Sequence, residues 1–135
     1  MTAVSLGTTG ITGASIVRQG YIASAGQYDI YPAVQPDAAG NAAVVFTQTS
    51  KTQFPSAAYA ILKADHSGFG PPVVAASGTG PYDPNATRWG DYSFAVPDDT
   101  SDSAWLATEY IPPKSSQTTT GARNWGTRVF EVQLG

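Results

Sequence analysis

The chain has no cysteine. That excludes disulfides, thiol nucleophiles and zinc–thiolate sites, and it leaves the compartment open. Charge is scarce as well: 13% of the 135 residues are charged, about half the usual globular share. The seven Lys and Arg are scattered and the net charge is -3. This argues against nucleic acid as a partner, because phosphate binding needs clustered cations, and against an anionic membrane surface for the same reason. No apolar run approaches the ~20 residues of a transmembrane helix. No segment keeps a 3.6-residue apolar period over three turns, so helices are not expected. The N-terminus, Met1-Thr2-Ala3-Val4-Ser5-Leu6-Gly7, lacks the basic start and apolar stretch of a signal peptide. The expectation is a piece of a longer, exported chain.

What is present is β-forming. Hydrophobic residues make up 41%, enough for a core, and 14 Gly and 10 Pro accompany many Ser, Thr and Ala. That mix suits short strands joined by tight turns. The strand-like runs also recur in order. Residues 14–62 contain Ala-Ser-Ile-Val-Arg-Gln-Gly, Tyr-Pro-Ala-Val, Gly-Asn-Ala-Ala-Val-Val-Phe-Thr and Ser-Ala-Ala-Tyr-Ala-Ile-Leu. Residues 71–132 contain Pro-Pro-Val-Val-Ala-Ala-Ser-Gly, Asp-Tyr-Ser-Phe-Ala-Val, Ser-Ala-Trp-Leu-Ala-Thr-Glu-Tyr and Gly-Thr-Arg-Val-Phe-Glu-Val. A four-strand repeat with a period of roughly 60 residues points to propeller blades or a related stacked sheet. The predicted architecture is all-β: one unit over 1–135, with repeats at about 14–67 and 69–135, forming two four-stranded antiparallel blades. Propellers need about 4–8 blades, so copies of the chain, or a longer parent chain, are expected to complete the structure. Face-to-face packing of the two sheets as a sandwich is the third solution.

Residues 2–13 read as a loose lead-in, and Ile16, Val17, Tyr21 and Ile22 mark a first strand region interrupted at Gly20. Residues 30–35 read as a strand in which Pro32 marks a start or an edge. Asp37-Ala38-Ala39-Gly40-Asn41 is hairpin chemistry, with Gly40 free to take a positive φ. Ala42 to Thr47 is a continuous apolar run, the pattern of a strand buried on both faces. In the strand Ser56 to Leu62, Tyr59 and Ile61 fall on one side, Ala58 and Ala60 on the other. Further strands are expected at Val73 to Ala76, Asp91 to Val96, Ala104 to Ile111 and Thr127 to Leu134. Residues 73–77 are expected to finish the blade begun at Tyr31. Residues 14–22 would finish one built from 91–96, 104–111 and 127–134, within or between copies.

Arg88-Trp89-Gly90-Asp91-Tyr92-Ser93, Trp105-Leu106-Ala107-Thr108-Glu109-Tyr110 and Asn124-Trp125-Gly126-Thr127-Arg128 resemble the exported bacterial β-propellers related in architecture to sialidases. Tyr31-Pro32-Ala33-Val34, Gly40-Asn41 and Pro55-Ser56-Ala57-Ala58-Tyr59 resemble the blade before it, so that the likeness covers about 14–135. It implies a C-terminal two-blade portion and an extracellular location, and it carries a fold more than an activity. The chain lacks the Ser-x-Asp-x-Gly-x-Thr-Trp box of sialidase blades. A sialidase also needs three arginines on a carboxylate, and only Arg18, Arg88, Arg123 and Arg128 are present. Glu109 and Tyr110 are neighbours and point to opposite faces of a strand. Sialidase chemistry is therefore not supported by these residues.

The polar residues that stand out are Arg88, Asp91, Glu109 and Arg128. Two carboxylates flanking a sugar can act as acid and base, and Arg can orient them or take an anion. The plainer expectation is that Asp91 and Glu109 pair with Arg88 and Arg128 and tie strands together. Trp89, Tyr92, Trp105, Tyr110 and Trp125 can stack on pyranose rings or fill the space between sheets. Trp105, in an apolar run, is expected in the core, whereas Trp89 and Trp125, each before a Gly, are the surface candidates. His66 is alone and reads as a loop residue without metal or triad partners. Asp98, Asp99 and Asp102 lack EF-hand spacing and read as a turn. Asn85-Ala86-Thr87 fits a glycosylation sequon. No cofactor or metal is expected.

These readings converge on a non-catalytic binding or scaffold module. Carbohydrate is the favoured ligand, held near loops 78–90 and 112–126 by Arg88, Trp89, Asp91, Tyr92, Glu109, Tyr110, Trp125 and Arg128. A fragment of an exported glycosidase-like enzyme and a purely structural self-assembling protein are the alternatives. The expected partners are further copies of the chain, a trimer giving six blades, or the rest of a longer chain.

Overall fold

The computed structural model describes residues 2–5, 10–65, 68–82, 88–113 and 125–135. His66, Asn85-Ala86-Thr87, Arg123 and Asn124 lie outside the described residues. The described chain is all-β except for one 3-10 turn, Gly10–Gly13. Its strands are β1 (Thr2–Ser5), β2 (Ser15–Gln19), β3 (Gln27–Pro36), β4 (Ala42–Ser50), β5 (Ser56–Leu62), β6 (Val73–Ala76), β7 (Phe94–Pro97), β8 (Ser103–Tyr110) and β9 (Gly126–Gln133). Two antiparallel sheets dominate, β3-β4-β5-β6 and β7-β8-β9, and β1 pairs with β2 in a separate hairpin.

Three expectations change. Among the described residues the second sheet has three strands, against the expected four. Residues 2–5, expected within a loose lead-in over 2–13, instead form β1 and supply ladder partners for β2 from Thr2↔Gln19 to Ser5↔Ser15. For the same reason 15–19 do not complete the second sheet in this chain. β6 does close the sheet that begins with β3, as the Val73–Ala76 run predicts.

Local chemistry explains the first sheet. The β3–β4 hairpin turns through Gly40 at φ 94°. Asp37 accepts hydrogen bonds there from the Asn41 amide at 2.8 Å and its Nδ2 at 2.7 Å. Asn41 is itself buried, and its Oδ1 accepts from the Ala64 amide at 2.9 Å, tying the turn to the end of β5. β3 is an edge strand with a bulge between Ile30 and Ala33. Pro32, which has no N–H to donate, falls in that bulge beside Tyr31, whose φ is 54°.

β4 is buried on both faces from Ala42 to Gln48. Ala43 and Val45 face the second sheet, where they meet Ala104, Leu106, Val132 and Leu134. Tyr59 and Phe130 join this layer at a ring separation of 5.5 Å. On the other face, Val44, Phe46, Ala58 and Ala60 pack under Ile22 and Phe69. The uninterrupted apolar run of β4 follows from this double burial.

The two sheets stack in a definite order. β3 lies against β7, β4 against β7 and β8, β5 against β8, and β6 against β9. At one end of the stack the Thr47 and Thr108 hydroxyls are 3.2 Å apart. At the other, Lys63 Nζ donates to the Leu134 carbonyl at 3.0 Å. β4 and β8 therefore run in the same sense, and the meander β7-β8-β9 repeats β3-β4-β5 in order and direction. The connection from β6 to β7 must cross the stack to allow this. It starts across the head of β5: the Gly78 amide donates to Ser56 Oγ at 2.9 Å and the Thr79 amide to the Ile111 carbonyl at 3.0 Å. A Cβ on Gly78 would collide with the Pro55 carbonyl, so only glycine allows this close approach.

Candidate functional site

The inner face of the second sheet is covered, but its outer face is open. Strand alternation places Phe94 and Val96 of β7, Trp105, Ala107 and Glu109 of β8, and Thr127, Val129 and Glu131 of β9 on that outer face. Phe94, Val96 and Val129 are each more than half exposed. At the Glu109 end, the incoming connection folds over this face and leaves an open cleft of about 470 Å³.

Three segments build the cleft. The connection contributes Tyr82, Arg88, Gly90, Asp91 and Tyr92. Phe94, Ala107, Thr108 and Glu109 form the floor. Trp125 and Thr127, at the start of β9, form the far side. Behind it, Trp89 meets Tyr82 edge-to-face at 4.9 Å and 86°. Beneath the floor runs a hydroxyl chain between the sheets. Ser93 Oγ donates to Thr108 Oγ1 at 2.8 Å, and Thr108 and Thr47 share a hydrogen bond. Thr47 Oγ1 in turn donates to the Glu109 carbonyl at 2.8 Å. Thr47 and Thr108 are both buried, and this chain satisfies their hydroxyls.

The charges divide unequally. Arg88 and Asp91 form an exposed ion pair within the connection. The Asp91 hydrogen bond and charge raise the Arg88 pKa further. The Glu109 carboxylate has no hydrogen-bond or ion-pair partner among the described residues. Burial pushes its pKa up, and the nearby Asp91 charge adds to the rise. Gly90, at φ 20°, lies directly against the Glu109 carboxylate, and a side chain there would collide with it.

Of the eight residues singled out in the sequence, Arg88, Asp91, Tyr92, Glu109 and Trp125 line the cleft. Trp89 stands behind it, and its indole N–H is buried without a hydrogen-bond partner among the described residues. Tyr110 and Arg128 do not line it. Of the expected pairs, Arg88–Asp91 forms, but within one connection and not between strands; Glu109 does not meet Arg128, because Thr127 stands opposite it in the ladder. Arg128 pairs with Thr108 in register, which puts it on the other face of the sheet. Trp105 is not in the core either: it is 42% exposed on the outer face, with Nε1 donating to Asp98 Oδ2 at 3.0 Å. Asp98 also accepts from the Thr100 hydroxyl and amide, and these bonds, Thr100 foremost, hold its pKa down at about 2. No group of three or more metal-ligating side chains occurs among the described residues. Tyr82, Phe94 and Thr127 also line the cleft, and no sequence motif singles them out. The usable signal was Tyr82 beside Gly80-Pro81, an aromatic in a turn-forming loop. Comparison with protein-family models, curated proteins and solved structures finds no match for the chain.

Proposed function

We propose that the chain is a propeller-type binding module, that it acts outside the cell, and that the cleft on its second sheet takes carbohydrate without turning it over. One observation carries the ligand reading: four aromatic side chains, Tyr82, Tyr92, Phe94 and Trp125, line an open cleft that also holds Arg88, Asp91 and Glu109. Aromatic faces suit the apolar faces of pyranose rings, and flanking carboxylates and guanidinium groups suit hydroxyls. The propeller reading rests on the stacking order, since a meander repeated in order and sense is the relation between neighbouring blades. In a sandwich with a short connection, β7 would stand over β6 and not over β3. The motifs Arg88 to Ser93 and Trp125 to Arg128 supply the likeness to sialidase-like propellers.

Titration of oligosaccharides against Trp125 fluorescence tests the ligand reading. Saturable quenching that disappears in Trp125→Ala supports it. Turnover that Asp91→Asn and Glu109→Gln both abolish would replace it with a glycosidase.

The other end of the same face, where Val96, Trp105 and Val129 are exposed beside Glu131, favours a second reading in addition: another copy of the chain stacks there as β7-β8-β9 stacks on β3-β4-β5. The proposed occupant is a second copy, because the first sheet's outer face, covered by Ile22 and Phe69, still keeps a cleft of about 390 Å³ bordered by Tyr21, Val34 and Phe46 in which a neighbour's exposed side chains could seat.

A further inference from the structure

The charges inside the cleft narrow the ligand. Arg88 is the one cation lining it among the described residues, and it is held by Asp91. The Glu109 carboxylate lines the same space with no partner among the described residues, which place two carboxylates and one guanidinium in the cleft. Among the described residues, the other elements packed around Glu109 bring no compensating charge. β7 offers Phe94, β9 offers Thr127 and Trp125, and the connection offers Asp91 and its paired Arg88. Resting on the carbohydrate reading above, we propose that the cleft selects sugars bearing a free amino group, bound as ammonium against Glu109, over neutral and acidic sugars.

The physical basis has two parts. An ammonium on the ligand supplies the counter-charge that Glu109 lacks, in a setting partly shielded from water. The aromatic lining adds to this, because the faces of Tyr92 and Trp125 attract cations as well as sugar rings. An acidic sugar meets the opposite situation, since its carboxylate would face Glu109 while Arg88 is engaged. Burial, with the Asp91 charge second, raises the Glu109 pKa, and a bound ammonium would lower it again.

Calorimetric titration with four β- or α-linked tetrasaccharides is the test: glucosamine, N-acetylglucosamine, glucose and galacturonic acid, at a pH where the glucosamine amine is charged. The glucosamine tetramer is expected to bind at least about tenfold more tightly than the other three, as a charge-assisted contact and a cation–aromatic contact would give. Glu109→Gln should narrow that gap, and Trp125→Ala should weaken every sugar that binds; melting curves check that both variants fold. Equal affinity for the glucosamine, N-acetylglucosamine and glucose tetramers would overturn the amino-sugar inference and leave the carbohydrate reading standing. Preference for the acidic tetramer would overturn it too. If none of the four binds, both fail together.

Discussion

Val129 is the place to test whether copies of the chain stack on the second sheet. It lies across from Ala107 on the open face, 57% exposed, and lines no part of the cleft. Val129→Lys puts a charge in the centre of that face. In an isolated molecule a surface change of this kind is worth about 0.5 kcal/mol or less, which moves the melting temperature by about 2 °C. The stacked molecule is different. Phe94 and Trp105 expose 66% and 42%. At 150–250 Å² per aromatic side chain they offer roughly 160–270 Å² of surface, worth about 4–7 kcal/mol if a neighbouring sheet covers it. The loss of free translation and rotation on association costs about 4–15 kcal/mol. With Val96 and Val129 added, the sum leaves a weak, concentration-dependent contact, strengthened if a ring closes. A lysine buried in that contact would weaken it even if it reached Glu131, at the next alternate position of the same face, because both charges would lose water. Light scattering across a concentration series should therefore show the wild-type mass rising with concentration and the Val129→Lys mass staying at one chain. A wild-type protein that stays monomeric throughout, or a variant that associates as the wild type does, would refute the stacking argument. A wild type that aggregates without a defined mass would point to missing blades of a parent chain.

Other consequences can be checked by melting and denaturation. Leu106→Ala, at a fully buried position between the sheets, should cost about 2–5 kcal/mol in denaturant titration. Thr47→Val leaves the Glu109 carbonyl and Thr108 hydroxyl short of a partner and should cost about 1–3 kcal/mol, with Ser93→Ala costing less at its half-buried end of the chain. Glu109 has a raised folded pKa, so protonation favours the folded state and stability falls as pH rises from the unfolded carboxylate range through that raised value. Glu109→Gln should abolish this part of the pH dependence and stabilise the protein at neutral pH; an unchanged pH profile would contradict the assignment. Asp98 works in the opposite sense. Its pKa of about 2 means that its contribution is present above the unfolded value and fades as acid carries the pH down toward 2, a loss that Asp98→Asn should remove from the acid limb.

Strand positions were legible wherever alternation and burial pulled the same way. β5 and β6 match their sequence runs from end to end, and the Asp37-to-Asn41 hairpin turns at the predicted glycine. The bulge at Tyr31 was not legible, because a positive φ at tyrosine is set by the edge position and neighbouring ladder, not by tyrosine itself. Nor was the cover of the first sheet's outer face. Ile22 and Phe69 reach it from outside any strand, and only the folded path of the chain brings them together. Trp105 shows the limit most clearly. Its apolar run reads as core, and the parity of β8 sends its alternate residues to opposite faces, only one of which this chain covers. The cleft was half legible: its motifs were visible, but the ladder decided that Glu109 faces into it and Arg128 does not.

The cleft and the apolar patch are two ends of one surface, and that has an energetic consequence. Glu109 and Trp105 share a face of β8, four residues apart, or roughly 13 Å at ~3.3 Å per residue. A sheet stacked on Trp105 at the ~10 Å spacing of face-to-face sheets would extend past Glu109 and become a second wall of the cleft. A ligand between the walls would then touch both copies. Binding and assembly would favour one another by the same factor in each direction. Sugar would shift the scattering series toward larger mass, and Val129→Lys would weaken sugar binding without touching the sugar. If the neighbouring sheet instead closed over the Glu109 end, the sugar would compete with assembly and the same series would shift toward smaller mass. The sign of that one shift separates a junction site from a cleft that exists only on the free chain.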